Sequence, residues 1–257
     1  MGTILGLLPH LCFRLSHTFS GENGYKSFGV LRLNNMCFSA AASFAAAGAL
    51  GVAGGLTLTQ VKKKSELPFA SIPLLFGIQQ AIEGAVWVSF GAPVVNTVAT
   101  YAYSMFSHVL WPIFVPFSVL MIETDPTRKK ILRLFSFIGL FVGLYLLYFI
   151  IADPVTAHIT KNSIAYHSPH LYVYPIMALY LIATCGSCLV SSHKIIKIFG
   201  VVLFISFAIA AWFFTETFFS VWCFFAAILS IIVYWYFRSN SAGPMPGRSG
   251  VSLKNNN

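Results

Sequence analysis

A chain of 257 residues that is 57% hydrophobic and 9% charged lacks the polar surface a water-soluble domain needs on all sides. Recurrent long apolar stretches predict instead an all-α, polytopic membrane protein whose main partner is the lipid bilayer. The net charge of +9 then reports orientation in the membrane and does not point to nucleic acid. The five cysteines (Cys12, Cys37, Cys185, Cys188, Cys223) show neither metal-finger nor secreted-framework spacing.

Residues 1–35 differ in character from the rest of the chain. "TILGLLPHLCF" is too short to span and has no basic region before it, and "SGENGYKSFG" is polar and glycine-rich. This segment reads as a poorly ordered extension, with Met36 as the expected true start. From there seven apolar stretches approach the ~20 residues that cross ~30 Å of hydrocarbon. They lie near 38–59, 68–90, 98–121, 131–151, 171–190, 196–214 and 217–237. "TET" (Thr215–Thr217) separates the last two, with Thr215 as an expected N-cap and Glu216 in the first turn. Residues 239–257 read as a flexible tail.

The basic residues agree with the same count. Lys62, Lys63 and Lys64, then Arg128, Lys129, Lys130 and Arg133, then Lys194 and Lys197, then Arg238, Arg248 and Lys254 fall in alternate connections. The other connections between spans hold Lys161 alone. The excess of positive charge places the N-terminus outside and the C-terminus in the cytoplasm.

Small residues recur every fourth position on the first span: Ser39, Ser43, Ala47, Gly51 and Gly55. The second carries Gly77, Gly84 and Gly91, and the seventh Glu216, Ser220, Cys223, Ala227 and Ser230 on one face. Such stripes predict close helix packing. Trp212, Trp222 and Trp235, with Tyr234 and Tyr236, suit anchors at the membrane interface.

The polar residues at membrane depth carry the functional reading. Within "LLFGIQQAIEGAVW", Gln80, Glu83 and Trp87 share a helix face with Gln79 at its edge. On the third span Tyr101, Ser104, His108 and Trp111 form a second stripe. Pro112 removes the N–H that would bond the His108 carbonyl, which predicts a kink there. A lone ionised carboxylate at such depth costs at least ~2.5–3.5 kcal/mol, so Glu83 must be protonated, hydrogen-bonded, paired or bound to a cation. With the N-terminus outside, these groups, Glu216 and the loop residues Tyr166, His167 and His170 share the outer half. The inner half offers Glu123 and Asp125 beside a basic loop that would neutralise them.

The expected function is binding or transport of a small ligand, proton or cation. Glu83 would titrate or bind the cation, with His108 as its partner, Gln79 and Gln80 as orienting donors, and Glu216 as a gate. Ser104 and Tyr101 complete the set. A divalent metal on Glu83, His108, Glu216 and His170 is the alternative by ligand type, as in a membrane-embedded hydrolase, although no HxxxH or HExxH spacing accompanies it. A structural or assembly role is the third reading. "CGSC" (Cys185–Cys188) lies inside a helix, where two small packing residues are expected rather than a redox pair.

"MCFSAAASF" (36–44), "LPFASIPLLFGIQQAIEGAVW" (67–87), "HVLWPIFVP" (108–116) and "SVWCFFAAILS" (220–230) resemble an uncharacterised family of bacterial integral membrane proteins. The resemblance implies a multi-pass fold in the inner (cytoplasmic) membrane and brings no known activity.

Overall fold

The computed structural model describes residues 39–160, 163–167, 173–213 and 217–241. The chain is mostly helical. Helix α1 (Ala40–Leu58) starts at Ser39, whose hydroxyl accepts from the Ala42 amide at 3.2 Å, the usual satisfaction of a free N–H at a helix start. A 3₁₀ turn (Lys64–Glu66) and a single helical turn (Leu67–Ala70) lead into α2 (Ile72–Val88). Pro93 opens α3 (Pro93–Ser104), at a position where a backbone N–H would have had no partner. A π-helical stretch (Met105–Leu110) joins it to α4 (Trp111–Ile122). Asp125 caps α5 (Pro126–Ala152) by accepting from the Arg128 amide at 2.8 Å. Strands β1 (Thr156–Thr160) and β2 (Ser163–His167) precede α6 (Val173–Leu181). A second π-helical stretch (Ile182–Gly186) and the turn Ser187–Val190 continue α6. Then come α7 (Lys194–Phe213), α8 (Phe218–Leu229) and α9 (Ile231–Ser241).

Six helical stretches are long and apolar enough to cross a membrane by length and composition: Ala40–Leu58, Lys64–Val88, Pro93–Ile122, Pro126–Ala152, Lys194–Phe213 and Phe218–Ser239. The stretch corresponding to the expected fifth span, Tyr174–Val190, is shorter and apolar. Polar side chains lie inside the bundle and apolar ones outside. Gln79, Gln80, Glu83, Ser104 and His108 are buried, whereas Phe137, Phe141, Leu144, Tyr148 and Ile151 stand exposed along α5. This inversion is compatible with a multi-pass membrane protein, since a water-soluble bundle hides its apolar stripe.

The purely helical expectation is corrected by the antiparallel hairpin β1–β2, in which Ala157 faces Tyr166 and Ile159 faces Ile164. Ala157 and Ile164 pack with Val86 and Ala99, closing the end of the bundle where α2 turns into α3. The expected cap Thr215 lies outside the described residues, and α8 begins after Thr217. Three smaller expectations are corrected as well. The last helix runs through Ser241, into the expected tail. Trp212 and Trp235 are exposed as anchors would be, but Trp222 and Tyr236 belong to the core. Gly55 and Gly91 face open space, so the small-residue seams run elsewhere along part of their length. The seam between α1 and α2 is real at Gly77, where a Cβ would meet the Gly51 nitrogen at 3.1 Å and the Ala47 oxygen at 3.2 Å. Residues 1–35, Cys12, Cys37, Lys161, His170 and Glu216 lie outside the described residues, as does the tail beyond Ser241.

Candidate functional site

The kink expected at Pro112 takes the form of the π-helical stretch. Trp111 bonds back five residues to the Phe106 carbonyl, widening the helix by one residue just before the proline. Ser107 and His108 sit in that widened turn, both buried. The Ser107 hydroxyl lies 2.7 Å from His108 Nδ1, and the Tyr180 hydroxyl donates to the Ser107 carbonyl at 2.7 Å. Helix α5 supports the kink closely: a Cβ on Gly139 would land in the Pro112 carbonyl, and one on Gly143 would meet the Val109 carbonyl at 3.1 Å.

Glu83 sits at the meeting of α2, α3 and α8, 2% exposed. Its carboxylate accepts from the Gln80 amide nitrogen at 3.2 Å and from the Ser220 hydroxyl. The residue before Ser220 on α8, Phe219, lies against the His108 ring with centroids 4.2 Å apart. Its carbonyl accepts from the Tyr103 hydroxyl at 3.3 Å. The first turn of α8 thus brings the glutamate of α2 and the histidine beside α4 to consecutive residues.

Gln79 points elsewhere than expected. Its Oε1 accepts from Trp111 Nε1 at 2.6 Å, so it receives a hydrogen bond rather than donating one to Glu83. Its amide nitrogen is close enough to interact with the Cys223 thiol but makes no hydrogen bond of normal geometry. Tyr103 stacks on Tyr166 of β2 at 4.2 Å and 8°. Several buried polar atoms around this centre have no hydrogen-bond partner: Gln80 Oε1, Ser104 Oγ, Thr100 Oγ1 and the Tyr166 hydroxyl. Native interiors leave few such atoms, so a cluster of them calls for a physical explanation.

Tyr101 departs from the expected stripe. Its hydroxyl accepts from the Val155 amide at 3.4 Å and its ring packs with Val109 and Ile150, away from Glu83. Tyr103, Thr100 and Ser107 join the centre without standing out in the sequence. They repeat at three- and four-residue spacing as regularly as Tyr101, Ser104 and His108 do, and periodicity alone does not choose between two overlapping stripes on one helix. Ser220, Cys223, Ala227 and Ser230 are all buried on α8 and its end, as their spacing predicts. Trp87 is half-buried beneath the hairpin, and His167 is exposed.

On the side of the cluster away from the hairpin lies a cavity of about 30 Å³ lined by Phe76, Trp111, Tyr180, Trp222 and Cys223. Phe76 stacks on Trp111 at 3.9 Å, and Trp222 packs against Tyr180 and Phe218. Its lining is apolar, so an aromatic layer bounds the polar cluster inward. Among the described residues no three of His, Cys, Asp and Glu are grouped to hold a metal ion. Cys188 packs against Gly200, and Cys185 is buried beside Thr184, in keeping with packing roles.

At the opposite end, Glu123 comes directly after α4. It is satisfied by amides and a hydroxyl, and not by the basic loop as expected. Its oxygens accept from the Thr124 and Asp125 amides at 2.9 and 3.0 Å, and from the Ser192 amide and hydroxyl, both at 2.6 Å. Burial would raise its pKa, but these bonds, led by those from Ser192, hold it down at about 2. Arg128 instead donates to the Val190 and Ser191 carbonyls. His193 bridges the Ile122 carbonyl (3.3 Å) and the Tyr236 hydroxyl (3.2 Å).

These features define a helical protein with several membrane-length apolar helices and a buried polar centre. The chain belongs to DUF6629, a family of unknown function, whose match covers residues 36–247. No curated protein and no solved structure matches it.

Proposed function

We propose that this is a seven-helix transmembrane bundle of the bacterial inner membrane, N-terminus outside and C-terminus in the cytoplasm, that binds or transports a small ligand, proton or cation. The site lies in the extracytoplasmic half and centres on Glu83. Gln80 orients the carboxylate, Ser220 anchors it to α8, and His108 sits across Phe219 from it. The observation that carries the reading is a fully enclosed carboxylate held by neutral donors amid polar atoms without partners. Such a group at membrane depth is costly, and function is the default reason for keeping it.

The test is ligand-dependent thermal stabilisation of the purified full chain, screened against pH and small cations. Wild type should show a response that Glu83→Gln removes, because the amide is isosteric but does not ionise. A Glu83→Gln protein that folds and responds as wild type does at every pH removes Glu83 from the site.

A further inference from the structure

The donor chemistry around Glu83 narrows the ligand. Four of the buried atoms there without a partner are oxygens, the Gln80 amide carbonyl and the hydroxyls of Ser104, Thr100 and Tyr166; the Gln79 amide nitrogen, also without one, lies instead toward the Cys223 thiol. The geometry places three of these oxygens with the carboxylate. Gln80 is already bonded to Glu83 through its nitrogen, which turns its Oε1 outward from the pair. The Phe76–Trp111 stack fixes the level of α2 against α3–α4, and Glu83 and Ser104 each lie seven residues from it on antiparallel elements. The π-helical stretch between Ser104 and Trp111 shortens that side by about one residue's rise, so the two depths agree to within about half a turn. Tyr166 comes to the same region from the hairpin: its ring stacks on Tyr103, whose hydroxyl bonds the Phe219 carbonyl beside Ser220, the residue that holds Glu83.

Hard oxygen donors select hard cations over soft ones. Charge then selects among hard cations. One carboxylate balances one positive charge; a divalent ion held by Glu83 and neutral oxygens would keep a net charge inside the bundle, which the low dielectric penalises. We propose that Glu83, Gln80, Ser104 and Tyr166 form a binding site for a monovalent alkali cation. This deepens the reading above and depends on it. Because Tyr166 belongs to β2, the hairpin supplies both a ligand and the outer cover of the site.

The experiment is scintillation-proximity binding of ²²Na⁺ and ⁸⁶Rb⁺ to the full chain in lipid nanodiscs with choline as the background cation, alongside thermal unfolding. Saturable binding of either ion is expected, weakened by acid as protons compete for the carboxylate. Glu83→Gln should abolish it, whereas Glu66→Gln, at a surface turn, should leave it intact. Ser104→Ala and Tyr166→Phe should each weaken it by about tenfold at unchanged melting temperature. These two milder variants keep the idea testable should Glu83→Gln fail to fold. Tighter binding of calcium or ammonium, or alkali binding indifferent to all three substitutions, overturns the assignment. A response to pH with no alkali binding also overturns it while leaving Glu83 as a proton site. Absence of any response to pH or cations in folded wild type removes the underlying reading as well.

Discussion

Glu83 and Glu123 both end in buried carboxylates, yet their donors differ in kind. Glu83 is held by two side chains, Gln80 and Ser220, while neighbouring oxygens go unbonded. Glu123 accepts from three backbone amides and the Ser192 hydroxyl, so its acceptor capacity is filled. A filled carboxylate clasps α4 to the start of α7, and its role is stability. Its folded pKa of about 2 lies below the usual carboxylate range. Such a group stabilises fully above its unfolded pKa of about 4.3, and the contribution disappears as pH falls through the folded value. Glu123→Gln should therefore lower stability by about 1–3 kcal/mol at pH 7, the scale of hydrogen bonds to a charged group. In detergent-solubilised protein the melting temperatures of wild type and variant should converge between pH 4.5 and 2, roughly the interval between the two pKa values. A gap independent of pH would mean that packing, not the charge, is what the variant loses. Glu83 is legible in the sequence because an acid inside an apolar run has a cost that stands out locally. For Glu123 the local pattern offers only its basic neighbours; its actual partner Ser192 lies 69 residues away, and nothing nearby points there.

The helix seams show the same division between local pattern and distant partner. Four-residue spacing of small residues correctly marks α1 and α2 as close neighbours, but it does not say which member of the stripe is in contact. A Cβ on Gly54, outside the predicted stripe, would fall 2.6 Å from the Leu74 backbone nitrogen, whereas Gly55 and Gly91 have nothing within 4 Å. Gly139 and Gly143, four apart, are inconspicuous within the long run of Leu and Phe in α5, yet they let that helix press on the carbonyls of the kink that holds His108. Backbone carbonyls do not move aside as a flexible side chain would, so Gly139→Ala should cost about 1–3 kcal/mol by overpacking. Gly91→Ala should fall within about 0.5 kcal/mol of wild type. Guanidinium unfolding midpoints of the two variants check this, and equal midpoints would mean that α5 is free to shift. The hairpin is harder to read, although "TAHIT" and "SIAYH" carry β-branched residues in the short alternation of strands. Between two long apolar spans, so short a signal passes for a loop. Tyr166 nevertheless belongs to the expected outer set; what sequence does not supply is the stack on Tyr103 that aims it.

At the scale of the molecule, the question is whether Tyr174–Val190 crosses the membrane, because a helix of 17 residues is only about 26 Å long. The contacts at its two ends bear on this. Its start comes after the hairpin that covers the end of the bundle near Glu83, and its last residue, Val190, accepts a hydrogen bond from Arg128 at the opposite end. Ser192, two residues on, bonds Glu123. The stretch therefore runs between the same two ends of the bundle as the six longer helices, and ~26 Å is close to the ~27–30 Å thickness of a bilayer core. Widening by the π-helical turn Ile182–Gly186 lets it pack inside the bundle, where Ala183, Thr184, Cys185 and Cys188 are buried. If it crosses, Lys63 and Lys194 face one side and His158 the other; all three are exposed. In a background lacking the native cysteines, His158→Cys should react with a membrane-impermeant maleimide in intact cells. Lys63→Cys and Lys194→Cys should react only after permeabilisation. Labelling of Lys194→Cys together with His158→Cys would leave six crossings and place Glu123 and His158 on the same side, which the hydrogen bond between Glu123 and Ser192 does not allow without unfolding the end of α4.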